Sequence, residues 1–321
     1  MSERGQHWAE IGESTSVRGI LLLCAVHRWL GRWPFRLCVY PVVFIHWLAN
    51  GTARRASLQY LQRAHAYQAM PPRRPGMWQS LHHFAMFAET LLDKILALGQ
   101  RYPVEQVRME RKDVLARVKA GEGGLIVTAH LGCLELCQIM ADQVPGFRLT
   151  ALVHTAHAER FNRLIRRLDA GSRVELLQVT DLGPADAVKL AERVARGEFV
   201  AIAGDRVPLR GGRSVKAMFL GHEASFLGHA APFPIGAYVL GAALKCPVFT
   251  MACTHDGDGY RVRLEAFAER IELPRGSRDA ALAGYAAQFA AWMERQVRLS
   301  PYDWFNFYPF WDQVTHDARN E

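Results

Sequence analysis

The sequence predicts an α/β fold, in which a central, mostly parallel sheet is flanked by helices and follows an amphipathic helical N-terminal region. Beyond residue 120, short β-rich runs alternate with helical stretches, as in successive βαβ units. Before that point the apolar residues follow helical spacing. The chain has 321 residues, of which 50% are hydrophobic, so it is long enough to bury a sizeable core. This composition excludes a disordered or fibrous protein.

Two apolar runs, residues 20–26 and 37–49, open the N-terminal region, and arginines separate them. Each run is shorter than the roughly 20 residues that a membrane-spanning helix needs. Tryptophans beside arginines are typical of helices that lie in a membrane interface, so we expect this pair of helices to dock on a membrane. A buried helical hairpin with an arginine-rich solvent face, or one tilted span over residues 20–49, are the alternatives.

A polar helix is expected over residues 52–70, and the proline-rich residues 71–75 end it. We place a domain boundary at this break. Residues 1–75 then form the N-terminal membrane-associated helical region, and residues 76–321 form the α/β domain.

The most strongly amphipathic helix of the sequence is predicted over residues 76–99. We expect its adjacent histidines, His82 and His83, to make polar contacts between helices. The strands predicted beyond it are residues 125–129, 149–153, 174–179, 199–203, 248–253 and 261–267. The helices predicted between and after them are residues 133–142, 159–168, 184–196, 235–244 and 277–299.

The charge of the chain is concentrated at its N-terminus. The net charge is +8, and the first 75 residues hold ten arginines, no lysine and three acidic residues. Because the remainder is nearly neutral, a broad nucleic-acid surface is not expected, whereas a local basic region suits an anionic membrane surface. The six cysteines are scattered in apolar surroundings without the density of a disulfide framework, which favours a reducing compartment.

His130 follows the predicted strand 125–129, and Glu135 follows five residues later. On one continuous helix the two side chains would lie about 140° apart, so a tight turn at Gly132 would be needed to bring them together. A base and its orienting acid at the carboxyl edge of a sheet, beside a helix N-terminus, would suit acyl transfer. A capping histidine with a first-turn glutamate is the structural alternative. Zinc binding by His130, Cys133 and Cys137 is disfavoured, because no second pair stands at a matching spacing.

The segment from His130 to Glu135 resembles the H-x4-[DE] block of the lysophospholipid acyltransferase superfamily. The chain as a whole is similar to the lipid A late acyltransferase branch, the lauroyl and myristoyl transferases. The matching motifs run in the family's order along nearly the whole chain. Beyond the first block they are Gly204-Asp205-Arg206 at a strand end, two overlapping FLG blocks at residues 219–226 and 226–233, and the aromatic residues 301–305.

The resemblance implies that His130 is the general base, with Glu135 as its partner. It places Asp205 and Arg206 at the substrate, with Arg206 as a bidentate donor to a phosphate or thioester oxygen. Without the family, Arg206 is as well explained by a structural ion pair with Asp205 or Glu198.

Of the two FLG blocks we favour the second for substrate binding, through Phe226 and Gly228, although both could be loop packing. The aromatic residues 301–311 suit an interfacial anchor or the wall of an acyl-chain pocket, or else a helix packed on the core.

The function that the resemblance implies is membrane-associated O-acyl transfer. A fatty acyl group moves from an acyl thioester, on acyl carrier protein or acyl-CoA, to a hydroxyl of a membrane lipid or glycolipid. The expected partners are acyl carrier protein, anionic membrane lipids and the lipid acceptor, with no metal, cofactor or nucleic acid. The expected location is the cytoplasmic face of a bacterial inner membrane, held peripherally or monotopically. A non-catalytic membrane scaffold of the same fold and a thioester or lysolipid hydrolase remain open.

Overall fold

The computed structural model describes residues 17–67, 74–110, 112–137, 147–153, 174–178, 183–206 and 221–312. The helices are α1 (Val17–Leu30), α2 (Arg32–Ala49), α3 (Gly51–Ala66), α4 (Met77–Leu98), α5 (Lys112–Lys119), α6 (Pro184–Ala195), α7 (Gly236–Leu244) and α8 (Arg278–Leu299). The strands are β1 (Val107–Glu110), β2 (Gly124–Gly132), β3 (Leu149–Val153), β4 (Val174–Gln178), β5 (Phe199–Ala203), β6 (Gly221–Phe226), β7 (His229–Pro234), β8 (Val248–Asp256) and β9 (Gly259–Ala268).

The predicted mixed α/β architecture is confirmed. Seven strands form one sheet in the order β1-β9-β8-β2-β5-β3-β4. The strands β2, β3, β4, β5 and β8 run parallel, whereas β9 is antiparallel to β8. The apolar run of β2 is buried along its whole length except at His130, as a central parallel strand covered on both faces requires. The carboxyl ends of β2, β5 and β8 therefore meet at one edge of the sheet.

All six predicted strands are present within the sheet. The predicted helices 184–196, 235–244 and 277–299 correspond to α6, α7 and α8. The predicted helix 159–168 and the end of 133–142 lie outside the described residues. Residues 134–135 form a turn before helical residues 136–137.

Sequence reasoning missed β1, α5 and the antiparallel hairpin of β6 and β7. The turn of this hairpin is Leu227–Gly228, and both residues have a positive φ, 51° and 74°, as a two-residue turn of this hand requires. The backbone N–H of Leu227 donates to Glu294 Oε1 at 2.7 Å, which fixes the turn against α8. Leucine is an unusual residue at positive φ, so the sequence carried no turn signal there.

The N-terminal helical pair is confirmed as α1 and α2, which are separated at Gly31. One face of α2 packs against α4: Phe35, Val39, Val43 and Trp47 of α2 are buried with Phe84 and Leu92 of α4. None of the described helices is sufficiently long and apolar to cross a membrane.

Two arginines of α2 point towards α4. Arg32 pairs with Asp93 at 2.9 Å, and Arg36 pairs with Glu89 at 2.8 Å. The Glu89 carboxylate also accepts a hydrogen bond from Tyr40. These ion pairs hold α2 in a fixed rotation about its axis, so that its opposite, apolar face is exposed.

The domain boundary near residue 75 stays a prediction, and polar contacts cross it. His83 of α4 bonds Ser57 Oγ of α3 at 3.0 Å and the carbonyl oxygen of Trp304 at 3.0 Å. Burial lowers the pKa of His83 to about 3, so the ring is neutral and can accept from the serine while donating to the carbonyl. The expected interhelical polar contact is thus confirmed for His83.

Candidate active site

His130 lies at the carboxyl edge of β2, and its side chain is 43% exposed. The pairing of β2 with β8 shifts register between Thr128 and Gly132, and such an irregularity changes the direction of a side chain. Gly132 has φ 65°, and a Cβ there would come within 1.9 Å of the carbonyl oxygen of Cys253. Only glycine fits this close approach. Gly132 is thus a tightly packed strand residue of positive φ, and the tight turn expected there lies instead at residues 134–135.

Asp205 holds the imidazole of His130. It follows β5, the strand that pairs with β2. His130 Nδ1 lies 2.8 Å from Asp205 Oδ1, and the backbone N–H of His130 donates to Oδ2 at 3.1 Å. The indole N–H of Trp304 also donates to Oδ2, at 3.2 Å. The carboxylate is fully buried. Because Nδ1 is engaged, Nε2 is the ring nitrogen left for a substrate.

The charges around this pair determine its protonation state. Burial alone would raise the pKa of Asp205, but His130 and then Arg206 outweigh it and hold this pKa well below its usual range. Burial and the charge of Arg206, with a smaller effect of Lys94, lower the pKa of His130 against the opposing effect of Asp205. An ionised carboxylate only accepts hydrogen bonds, so Nδ1 carries the proton and Nε2 has a free lone pair. A neutral imidazole in this tautomer can act as a general base.

Glu135 does not occupy the expected position beside the imidazole. Its Oε1 pairs with Lys94 Nζ at 3.0 Å, and its Oε2 lies 3.8 Å from Cys133 Sγ. Within the described part of the chain, no hydrogen bond or ion pair joins Glu135 to His130. The orienting acid is instead Asp205, which sequence analysis had assigned to the substrate. A catalytic role of Glu135 stays a prediction.

Arg206 lies beside the pair and contacts the C-terminal segment. Its Nη2 donates to the carbonyl oxygen of Phe305 at 3.2 Å, and its guanidinium lies 5.4 Å from the ring centre of Tyr308. Glu198, one of the alternative ion-pair partners, pairs with Arg196 instead. Substrate binding by Arg206 stays a prediction.

The aromatic C-terminal segment packs on the core, but not as a helix. Trp304 and Phe310 are fully buried, and residues 301–312 contain no helix. The segment pairs with the end of β2: the N–H of Gly132 donates to the carbonyl oxygen of Asp303 at 2.9 Å, and the N–H of Phe305 donates to that of His130 at 3.3 Å. The segment therefore fixes the backbone that carries the imidazole.

A second histidine and aspartate pair, missed by sequence reasoning, anchors this segment. His255, near the end of β8, places Nδ1 2.6 Å from Asp303 Oδ1, and its backbone N–H donates to Oδ2 at 2.6 Å. Ser300 donates to the same carboxylate at 2.7 Å. The arrangement repeats that of His130 and Asp205. The available signals were a histidine two residues after a predicted strand and an aspartate in an aromatic motif.

The favoured FLG block lies beside this segment and contributes Phe226 and Phe233 to the core, whereas residues 228–230 are exposed. Phe226 is fully buried, with its ring centre 5.1 Å from that of Trp304. Gly228 forms the β6–β7 turn described above. The start of the first block, residues 219–220, lies outside the described residues. Substrate binding by Phe226 and Gly228 stays a prediction.

Residues 73–313 match the family model for the bacterial lipid A biosynthesis acyltransferases. The chain belongs to that family. A search of curated proteins gave no match. The resemblance to the late acyltransferases is therefore confirmed, and membership of the lipid A acyltransferase family implies an acyltransferase that acts on lipid. The match begins just before α4, so it covers the sheet, His130, Asp205 and the whole aromatic C-terminal segment.

We expect Asp205→Asn to lower kcat for acyl transfer by on the order of 10²-fold or more, because the amide no longer fixes the tautomer or stabilises the imidazolium. Steady-state kinetics with the acyl donor measures the effect. Asp258→Asn, at an exposed turn position between β8 and β9, is the matched control. Equal kinetics in the two variants would show that Asp205 does not orient the base.

We expect His255→Ala to lower the free energy of unfolding by about 1–3 kcal/mol, because it leaves the buried Asp303 carboxylate without its Nδ1–H donor. His255→Asn should recover part of this loss, since the amide N–H can replace Nδ1–H. Chemical denaturation of the purified variants measures both values. Equal stability of the alanine variant and the wild type would refute the anchoring role.

Proposed function

We propose that this protein is a membrane-associated O-acyltransferase with His130 as general base. It moves a fatty acyl group from an acyl thioester, carried by acyl carrier protein or CoA, to a hydroxyl of a membrane lipid or glycolipid. The main support is the neutral imidazole that Asp205 holds at the open edge of the sheet, in a chain of the lipid A acyltransferase family.

In the proposed reaction, Nε2 of His130 takes the proton of the acceptor hydroxyl as its oxygen attacks the thioester carbonyl carbon. The Asp205 carboxylate stabilises the imidazolium that forms. When the tetrahedral intermediate collapses, the C–S bond breaks and the leaving thiolate takes the proton from the imidazolium. The acyl group passes directly to the acceptor without an acyl-enzyme. No metal or cofactor takes part.

Arg206 would bind the donor. A guanidinium presents several N–H groups in a fixed plane, which suits a phosphate or a thioester oxygen. Its position beside Asp205 places that positive charge next to the base. The backbone contact with Phe305 keeps the guanidinium oriented before the donor arrives.

The N-terminal helices would dock the enzyme on the cytoplasmic face of an anionic bacterial inner membrane. Among the side chains of α1 and α2 whose exposure the structure describes, ten large apolar ones are exposed, including Trp29, Trp33, Leu37 and Ile45. Exposed clusters of this kind mark interaction surfaces, and tryptophan is favoured at the lipid headgroup level. The acyl acceptor would reach the enzyme from the same surface.

We expect His130→Ala to remain folded and to lose nearly all acyl transfer, because the substitution removes the group that takes the hydroxyl proton. The assay supplies labelled acyl carrier protein and membrane lipid extracts, and products are identified by mass. An acylated lipid that depends on His130 supports the transferase. Release of free fatty acid alone would indicate the hydrolase. No product from folded wild-type protein with any donor would favour the scaffold.

We expect Trp33→Glu combined with Ile45→Glu to weaken binding to vesicles of phosphatidylethanolamine and phosphatidylglycerol at least tenfold. Both side chains are more than 60% exposed, so the substitutions should spare the fold while removing apolar burial in the interface. Vesicle flotation measures the bound fraction. Val188→Glu, at an exposed position of α6, is the control. Equal binding by all three proteins would place the docking surface elsewhere.

A further inference from the structure

The partner of Glu135 is Lys94, a residue of α4. The Lys94 ammonium lies 3.0 Å from Glu135 Oε1, and its side chain is 32% exposed. An ammonium has three N–H donors, and Glu135 accepts one of them. In the described ranges Nζ has no other partner, so two donors are left for a ligand.

The ion pair with Glu135 places Lys94 beside the turn that follows the strand of His130. Its charge and that of Arg206 both lower the pKa of His130, although the two cations belong to different elements. Among the described residues, the charged groups that act on the pKa of His130 are Asp205 and Arg206 after β5 and Lys94 of α4. The C-terminal segment contributes the indole of Trp304 and backbone groups.

The ammonium keeps its charge at this position. Burial alone would lower the pKa of Lys94, but the Glu135 carboxylate outweighs that effect and raises it above its ordinary value. The ion pair also limits the conformations of a long side chain. Lys94 is thus a fixed cation beside the turn that follows the strand of His130, and a fixed cation is suited to stabilising negative charge that develops during a reaction.

We propose that Lys94 is a further catalytic residue, whose ammonium, aimed by Glu135, donates a hydrogen bond to the thioester carbonyl oxygen. This inference rests on the function proposed above. When the acceptor oxygen bonds to the carbonyl carbon, the π electrons of the C=O bond move to the carbonyl oxygen. The ammonium of Lys94 stabilises the oxyanion that forms there. When the C=O bond re-forms, the C–S bond breaks and the thiolate takes its proton from His130. Lys94 gives up no proton, and Glu135 is its positioning residue.

This role explains the position of Glu135. A carboxylate five residues after His130 does not orient the imidazole, since Asp205 already occupies Nδ1. It reaches across to α4 and holds the cation instead. A purely structural tie between α4 and the turn after β2 is the competing explanation, and it would affect stability without a specific effect on turnover.

The test compares Lys94→Met, Lys94→Arg and Glu135→Gln in the full-length protein, with acyl carrier protein as the donor. We expect Lys94→Met to lower kcat on the order of 10²-fold, as loss of one oxyanion donor does, and to change KM less than threefold. The kcat of Lys94→Arg should be at least tenfold higher than that of Lys94→Met. The kcat of Glu135→Gln should lie between these two values. Lys119→Met, at an exposed position near the end of α5, is the control.

The pH profile separates catalysis from structure. Because Lys94 lowers the pKa of His130, its removal should move the acidic limb of kcat/KM to higher pH, where the base becomes deprotonated. NMR titration of the His130 ring should show the same upward shift without any turnover. A thermal shift alone, with unchanged kcat and an unchanged titration, would overturn the proposal in favour of the structural tie.

The two proposals fail in different ways. Loss of activity in His130→Ala with full activity in a folded Lys94→Met would overturn only the role of Lys94. Full activity in His130→Ala would overturn the proposed function itself. If Lys94→Met does not fold, Lys94→Arg keeps the ion pair, and a Lys94→Arg variant as inactive as His130→Ala but still folded would contradict simple charge stabilisation.

Discussion

The fully buried carboxylate of Asp205 governs the geometry of the site. An ionised group in such a position costs several kcal/mol unless its oxygens are satisfied, and Asp205 obtains three donors from two separate parts of the chain. The backbone and ring of His130 come from β2, and the indole of Trp304 comes from the C-terminal segment. The end of β2 and the C-terminal segment must therefore both occupy their folded positions for the carboxylate to remain charged.

The same requirement extends to the N-terminal helices. The carbonyl oxygen of Trp304 accepts from His83 of α4, which in turn bonds Ser57 of α3. A path of hydrogen bonds thus runs from α3 through α4 and Trp304 to Asp205 and the base. Membrane docking and catalysis would share this rigid support, because α2 is fixed to α4 by the ion pairs of Arg32 and Arg36.

The sequence pattern predicted the features that depend on residues close to one another in the chain. The buried parallel strands and the long helices were readable, since their apolar runs reflect burial at each position. His130 was readable as part of a short motif, whereas the turn expected at Gly132 lies at residues 134–135. The partner of His130 was not, because Asp205 is 75 positions away and only the pairing of β2 with β5 brings it close. His255 with Asp303, and Glu135 with Lys94, are long-range pairs of the same kind, and the positive φ of Leu227 had no sequence signal at all.

The ion pairs between α2 and α4 reduce the positive charge that the N-terminal region can present to a lipid surface. Ten arginines suggest a strongly electrostatic surface, but Arg32 and Arg36 are neutralised internally, and Arg54 donates to the carbonyl oxygens of Trp47 and Leu48 at the end of α2. A lipid surface facing α2 would therefore meet mainly apolar side chains. Since salt screens charges over about 10 Å at 0.1 M but leaves apolar burial almost unaffected, attachment through this face would be only weakly sensitive to ionic strength.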